Sequence, residues 1–230
     1  MTSKLPLLLS VALLSSACER RLCGEVNDLE GAAPRVLAVG DSVLAWAARR
    51  CHSPPDHAAL ALGEPIENLA VSGTRLLGGE DVIPGQYDAA QGDYSHVILD
   101  GGANDLNQSC ACGDCDAVLD QLITADASAG ALPELVRRVL DDGRTPVLVG
   151  YYTMPDDASY GFDRCGPTMA TYKSRQIVLA EANPGLRYVD LALLISPAQT
   201  PDAYDFDAVH PSEEGAEIIG QALAAAIRQD

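Results

Sequence analysis

Positive charge is scarce in this chain: 15 lysines and arginines stand against 33 aspartates and glutamates, a formal net charge of −18. No basic run or patch is present to neutralise phosphates, which argues against nucleic acid as a partner. The acidic residues are spread along the chain, so they read as a solvated, highly soluble surface; a saline habitat would give the same composition. The chain also lacks an internal repeat, and beyond residue 34 it lacks any Pro/Gly/Ser tract long enough to link two domains. At 230 residues it is long enough for one well-buried domain and short for two.

Long apolar runs are missing except at the start. Lys4 precedes Leu5 to Leu14, which gives way to Ser15-Ser16-Ala17 and then Cys18. That run is too short to span a bilayer, and it reads as a signal peptide over residues 1–17. Small residues ending at a cysteine resemble the bacterial lipobox, although Leu14 lies one place earlier than that pattern wants. Two readings follow: a lipoprotein attached to a membrane through lipidated Cys18, or a plainly secreted or periplasmic protein. Removing Cys18 from the seven cysteines leaves six, an even number suited to an oxidising compartment.

Apolar runs alternate with helical patterns along the rest of the chain. Strands are predicted at Arg35–Val39, Glu67–Val71, His96–Asp100, Pro146–Tyr151 and Arg187–Leu191. Helices are predicted at Val43–Arg50, Ala117–Thr124, Leu132–Asp142, Thr168–Ala182 and Glu213–Arg228. This alternation implies right-handed crossovers and a mostly parallel sheet covered on both faces. In such sheets a ligand lies outside the carboxyl ends of the strands.

Three short segments follow those strand ends. Gly40-Asp41-Ser42 places a serine between a strand and a helix, where free backbone N–H groups suit a nucleophile whose substrate becomes an oxyanion. Asn68-Leu69-Ala70-Val71-Ser72-Gly73 and Gly101-Gly102-Ala103-Asn104-Asp105 follow two further strands. Gly73 offers an approachable backbone N–H and Asn104 a neutral amide donor, which would complete an oxyanion hole begun by the Ser42 N–H. Near the other end stands Asp205-Phe206-Asp207-Ala208-Val209-His210-Pro211. An aspartate three residues ahead of a histidine can accept the imidazole Nδ1–H and leave Nε2 free to take a serine proton.

Only four histidines are present. His52 and His57 fall in a proline-containing segment read as a surface loop, and His96 opens a strand, where a structural imidazole is the common case. His210 alone has an aspartate at the right offset. Asp41 and Asp105 are expected to brace their turns by accepting backbone hydrogen bonds.

Four ordered blocks, carrying Ser42, Gly73, Asn104 and the pair Asp207 and His210, resemble the SGNH (GDSL-type) hydrolases over most of the chain. Val43 replaces the usual leucine after the serine, and a cysteine-rich insertion follows the asparagine block. The resemblance implies a flavodoxin-like three-layer α/β/α sandwich with five strands. It also implies a hydrolase domain over residues 34–230, before which the polar, cysteine-bearing stretch 18–33 reads as an exported lead, and with the spacing it favours Asp207 over Asp205 as the partner of His210. The expected activity is that of a serine esterase acting on short acyl or O-acetyl esters of a small molecule, lipid or saccharide, with no cofactor and no metal. An acyltransferase using the same triad and an inactive exported binding protein are the alternatives.

Cys110, Cys112 and Cys115 lack a nearby histidine, which makes an incomplete zinc site, and export favours disulfides. Cys23 and Cys51 are both expected at the amino ends of the strands, which predicts a Cys23–Cys51 bridge. Three cysteines in one loop cannot all pair among themselves. One of Cys110, Cys112 and Cys115 should therefore reach Cys165 while the other two close a small ring, the choice being left open.

Overall fold

The structure is a computed structural model and describes residues 23–26, 28, 29, 31–78 and 82–229. The predicted signal peptide and Cys18 lie outside the described residues. Five strands form one sheet in the order β2-β1-β3-β4-β5, and every ladder is parallel. They are β1 (Val36–Val39), β2 (Ile66–Asn68), β3 (His96–Leu99), β4 (Thr145–Gly150) and β5 (Arg187–Asp190). All residues of β1 and β3 are buried, as strands covered on both faces require. The two edge strands carry Glu67, Arg187 and Asp190 and are only half-buried for most of their length, which keeps the edges from templating further pairing.

From residue 42 onward eight α-helices connect and cover the sheet: α1 (Ser42–Ala45), α2 (Pro54–Leu62), α3 (Ile83–Ala89), α4 (Ala103–Cys110), α5 (Asp116–Leu122), α6 (Ala131–Asp141), α7 (Gly166–Ala182) and α8 (Glu213–Ile227). The chain leaves β1 in one direction to reach β2 and then moves the other way through β3, β4 and β5. Right-handed crossovers therefore put α2 on one face and α3 to α7 on the other. Helix α8 returns to the α2 face and packs on α2. The approach is close, since a Cβ at Gly220 would lie 2.5 Å from the His57 Cβ. The fold is thus the α/β sandwich expected, with a sheet that is parallel throughout.

Two departures from the sequence reading have clear causes. The segment from His52 to His57 is not a surface loop. Ser53 caps α2 through a reciprocal box with Asp56, and Pro54 and Pro55 occupy the first helical positions, where a missing N–H costs nothing. His52 is consequently buried, at 5 % exposure. The helix expected at Val43–Arg50 stops at Ala45 instead. Trp46 is extended, Ala47 takes a left-handed conformation with φ 61°, and a short 3₁₀ turn spans Ala48–Arg50.

The described cysteines all pair. Cys23 bonds Cys51, Cys110 bonds Cys115, and Cys112 bonds Cys165. The choice left open within the loop thus goes to Cys112. No helix among the described residues is long and apolar enough to cross a membrane.

Candidate active site

The carboxyl ends of β1 and β3 and the loop after β5 converge on one cleft of about 420 Å³. Ser42, Ser72, Gly73, Asn104 and His210 line it, joined by Trp46, Asn107, Tyr160 and Phe162. Of the residues expected to form the triad and the oxyanion hole, all except Asp207 thus reach the cleft itself, and Asp207 stands directly behind His210.

Asp207 is 3 % exposed and sits 2.6 Å, through Oδ2, from His210 Nδ1. Its Oδ1 accepts the backbone N–H groups of Val209 and His210, each at 3.0 Å, so the loop closes around the carboxylate. Burial by itself would push the Asp207 carboxyl up. The N–H groups of His210 and Val209 and the imidazole outweigh it and hold the carboxyl below its ordinary range. An ionised carboxylate only accepts hydrogen bonds, so the shared hydrogen sits on Nδ1, which in the neutral imidazole puts the lone pair on Nε2. The Tyr152 hydroxyl ties down the preceding residue by donating to the Val209 carbonyl at 2.5 Å.

Ser42 is the first residue of α1, whose cap is Asp41. The Asp41 carboxylate accepts from the Val43 N–H at 3.0 Å and from the Tyr151 hydroxyl at 2.5 Å. With a single turn of helix, local N–H groups rather than a long macrodipole set the field at Ser42. Behind this turn lies Asp100, fully buried, which accepts the Asp41 N–H at 2.7 Å. Burial, then the neighbouring Asp41 charge, push the Asp100 carboxyl well up. Burial also raises Asp41, against the bonds from Tyr151 and Val43. Gly40 is required here because a Cβ would fall 1.9 Å from Asp100 Oδ1.

Gly73 has φ 82° in the turn Val71-Ser72-Gly73-Thr74, closed by a Thr74 N–H to Val71 carbonyl bond of 3.2 Å. That conformation suits glycine and leaves the space beside its Cα open. Asn104 lies in the first turn of α4, and its amide donates to the Thr74 carbonyl at 3.0 Å, with Asp41 Oδ2 at 3.5 Å. The bond to Thr74 fixes the side chain between the two loops. Asp105 does not brace its own turn alone: its oxygens accept the N–H groups of Leu76 and Leu77, pinning the Gly73 loop against α4. Burial raises its carboxyl in spite of these bonds.

Several supporting residues escaped the sequence reading. Gln86, on α3, accepts the Gly40 N–H at 2.7 Å and donates to the Gly40 carbonyl at 3.0 Å, clamping the turn before Ser42. Tyr151 entered the sequence reading only as the last residue of the strand expected at Pro146–Tyr151. Trp46 stacks on His210, with centroids 3.8 Å apart and planes 5° from parallel. Asp205, the aspartate passed over as the His210 partner, accepts the Trp46 indole N–H at 2.6 Å. No cluster of three or more metal-ligating side chains is found among the described residues.

Such an arrangement can relay a proton from a serine hydroxyl to an imidazole braced by a carboxylate, with amide donors beside it. Comparisons with known proteins find the same fold elsewhere. A protein of the lipolytic G-D-S-L family from Desulfitobacterium hafniense DCB-2 is 16 % identical with a TM-score of 0.62, over 83 % of this chain and 98 % of that one. A member of the lipolytic G-D-S-L family from Veillonella parvula DSM 2008 is 15 % identical with a TM-score of 0.61, over 84 % of this chain and 98 % of that one. A psychrotrophic esterase from a Pseudoalteromonas species, solved inhibited by monoethylphosphonate, is 17 % identical with a TM-score of 0.56, over 84 % and 96 % of the two chains. These likenesses are of fold. No curated protein matches the chain. A profile of the GDSL-like lipase/acylhydrolase family matches residues 38–218, a span from β1 into α8 that holds every candidate site residue of the cleft, and the chain belongs to that family.

Proposed function

We propose that this protein is an exported serine esterase that hydrolyses carboxylic esters carrying short acyl or O-acetyl groups. Ser42 Oγ attacks the acyl carbonyl while His210 Nε2 takes its proton, and Asp207 orients the imidazole and stabilises its protonated form. The N–H groups of Ser42 and Gly73 and the Asn104 amide receive the oxyanion. His210 returns the proton to the leaving alcohol and then activates water, which releases the acid and restores Ser42.

The observation that carries this reading is the 2.6 Å contact between His210 Nδ1 and the buried Asp207 carboxyl, in a cleft that Ser42 also lines. A cleft of about 420 Å³ is near the small end of ligand sites, which favours a short acyl group. Three disulfides fit an oxidising compartment and support export.

A fluorophosphonate probe tests the nucleophile. Wild-type protein should be labelled at Ser42, and Ser42→Ala should lose both labelling and ester hydrolysis while keeping its far-UV circular dichroism. Purified Ser42→Ala that still turns over a good substrate would falsify the assignment. Hydrolysis of aryl esters from acetate to palmitate, alongside an acetylated saccharide and a lysophospholipid, then defines the substrate; a preference for the long chains overturns the short-acyl reading.

A further inference from the structure

We propose that Trp46 is a positioning residue for His210 and that Asp205 holds it in place. This rests on the reading of His210 as the base. Trp46 is the only tryptophan of the chain, and it leaves the helix that begins at Ser42. Its extended backbone and the left-handed Ala47 that follows turn the chain outward, against the preference of a non-glycine residue. The result of that turn is the parallel stack on His210 at 3.8 Å.

A single in-plane bond from Nδ1 to Asp207 leaves the imidazole free to tilt about the line of that bond. A flat plate against the ring face removes the tilt. The plate is itself anchored, because the indole N–H donates to Asp205 Oδ2 at 2.6 Å. Asp205 also fixes the histidine's own backbone: its N–H donates to the His210 carbonyl at 2.8 Å, and its carbonyl accepts from Ala208 at 2.9 Å. One aspartate therefore sets both the base and the ring that covers it. In the attack step the Ser42 proton moves to Nε2 as the Oγ–carbon bond forms, and the imidazolium that results lies against the electron-rich indole face. The carboxylate on the indole N–H reinforces that face.

Because no other tryptophan contributes, emission from Trp46 reports the stack directly. A protonated imidazole quenches indole emission on contact. Wild-type fluorescence should therefore fall as His210 protonates, and this titration should vanish in His210→Gln. In kinetics with p-nitrophenyl acetate, Trp46→Leu should lower kcat by about 10- to 100-fold, as small misplacements of a reacting group do. Its KM should stay within about threefold of wild type, because the loss is made in the transition state. Trp46→Phe, which keeps a flat ring, should recover most of the rate. Asp205→Ala leaves the indole in the structure but frees it, and should lower kcat by about tenfold. Wild-type rates in Trp46→Leu or in Asp205→Ala, or emission with no titration dependent on His210, overturns the inference. Failure of the esterase reading looks different: wild-type protein itself then leaves the fluorophosphonate probe unreacted at Ser42.

Discussion

At the scale of single residues, the cleft joins groups whose ionisation is pulled in opposite directions. Asp207 is held below the ordinary aspartate range, whereas Asp100, buried behind Ser42 and beside Asp41, is pushed well above it. The consequences for stability have opposite signs. The Asp207 contribution is present above about pH 3.9, the unfolded aspartate value, and is lost as pH falls through its folded value. Asp100 retains its proton in the folded state after the unfolded chain has released it, so stability falls as pH rises from about 3.9 through the folded value. Asp100→Asn should thus gain on wild type as pH rises, because the amide stays neutral and still accepts the Asp41 N–H. Thermal melts across pH 4 to 8 check this, and parallel curves for the two proteins would refute it. A second outcome concerns chemistry rather than stability. Asn104→Ala should lower kcat by roughly 10²–10³, the usual size for one oxyanion donor, with the melting temperature less affected than the rate. Single-turnover kinetics with an aryl acetate distinguish that from a loss of binding.

At the scale of elements, what was legible in the sequence depended on whether the signal was local. The three central strands were found because each is a short apolar run whose burial on both faces leaves no alternation to misread; the edge strands are half-buried, and β2, expected at Glu67–Val71, runs over Ile66–Asn68. Ser42, Gly73 and Asn104 were legible for the same reason, each following its strand within a few residues. Helices α2 and α3 were missed because prolines at their first turns read as loop punctuation, although Ser53 and Asp56 spelled out a capping box. Helix α4 was missed because it is polar and starts from a glycine at φ 108°. The box is expected to matter. Ser53 is fully buried, donates to Asp56 Oδ2 at 2.6 Å, and opens the helix that packs on α8. Ser53→Ala should cost about 1 kcal/mol, or some 2–4 °C in Tm for a domain of this size, measured by calorimetry. An unchanged Tm would mean that packing on α8 holds α2 without its cap.

At the scale of the whole molecule, the parts that no local reading could supply are contacts made across the sheet. The bond between Trp46 and Asp205 spans 159 positions, and nothing in either segment announces the other. Disulfide pairing is similar, since the choice among three cysteines in one loop depends on where α7 begins relative to α4. That choice shapes the cleft. Cys112–Cys165 ties the segment after α4 to the entry of α7, and Cys110–Cys115 closes the short loop between α4 and α5. Asn107 lies on one side of that junction and Tyr160 and Phe162 on the other, all three lining the cleft, and the Asn107 amide bonds the Tyr160 carbonyl at 2.9 Å. The sheet and the packing of α2 on α8 do not pass through these bridges. Reduction should therefore loosen the cleft wall before it unfolds the domain, with kcat/KM for an aryl ester falling while the far-UV signal is intact. Cys112 and Cys165 are buried, so their bridge should yield last. Replacing both by alanine should cost about 2–4 kcal/mol, the usual contribution of a disulfide, read from denaturant melts. If activity and helical signal instead disappear together at the same reductant concentration, the bridges hold the domain as a whole rather than the wall of its cleft.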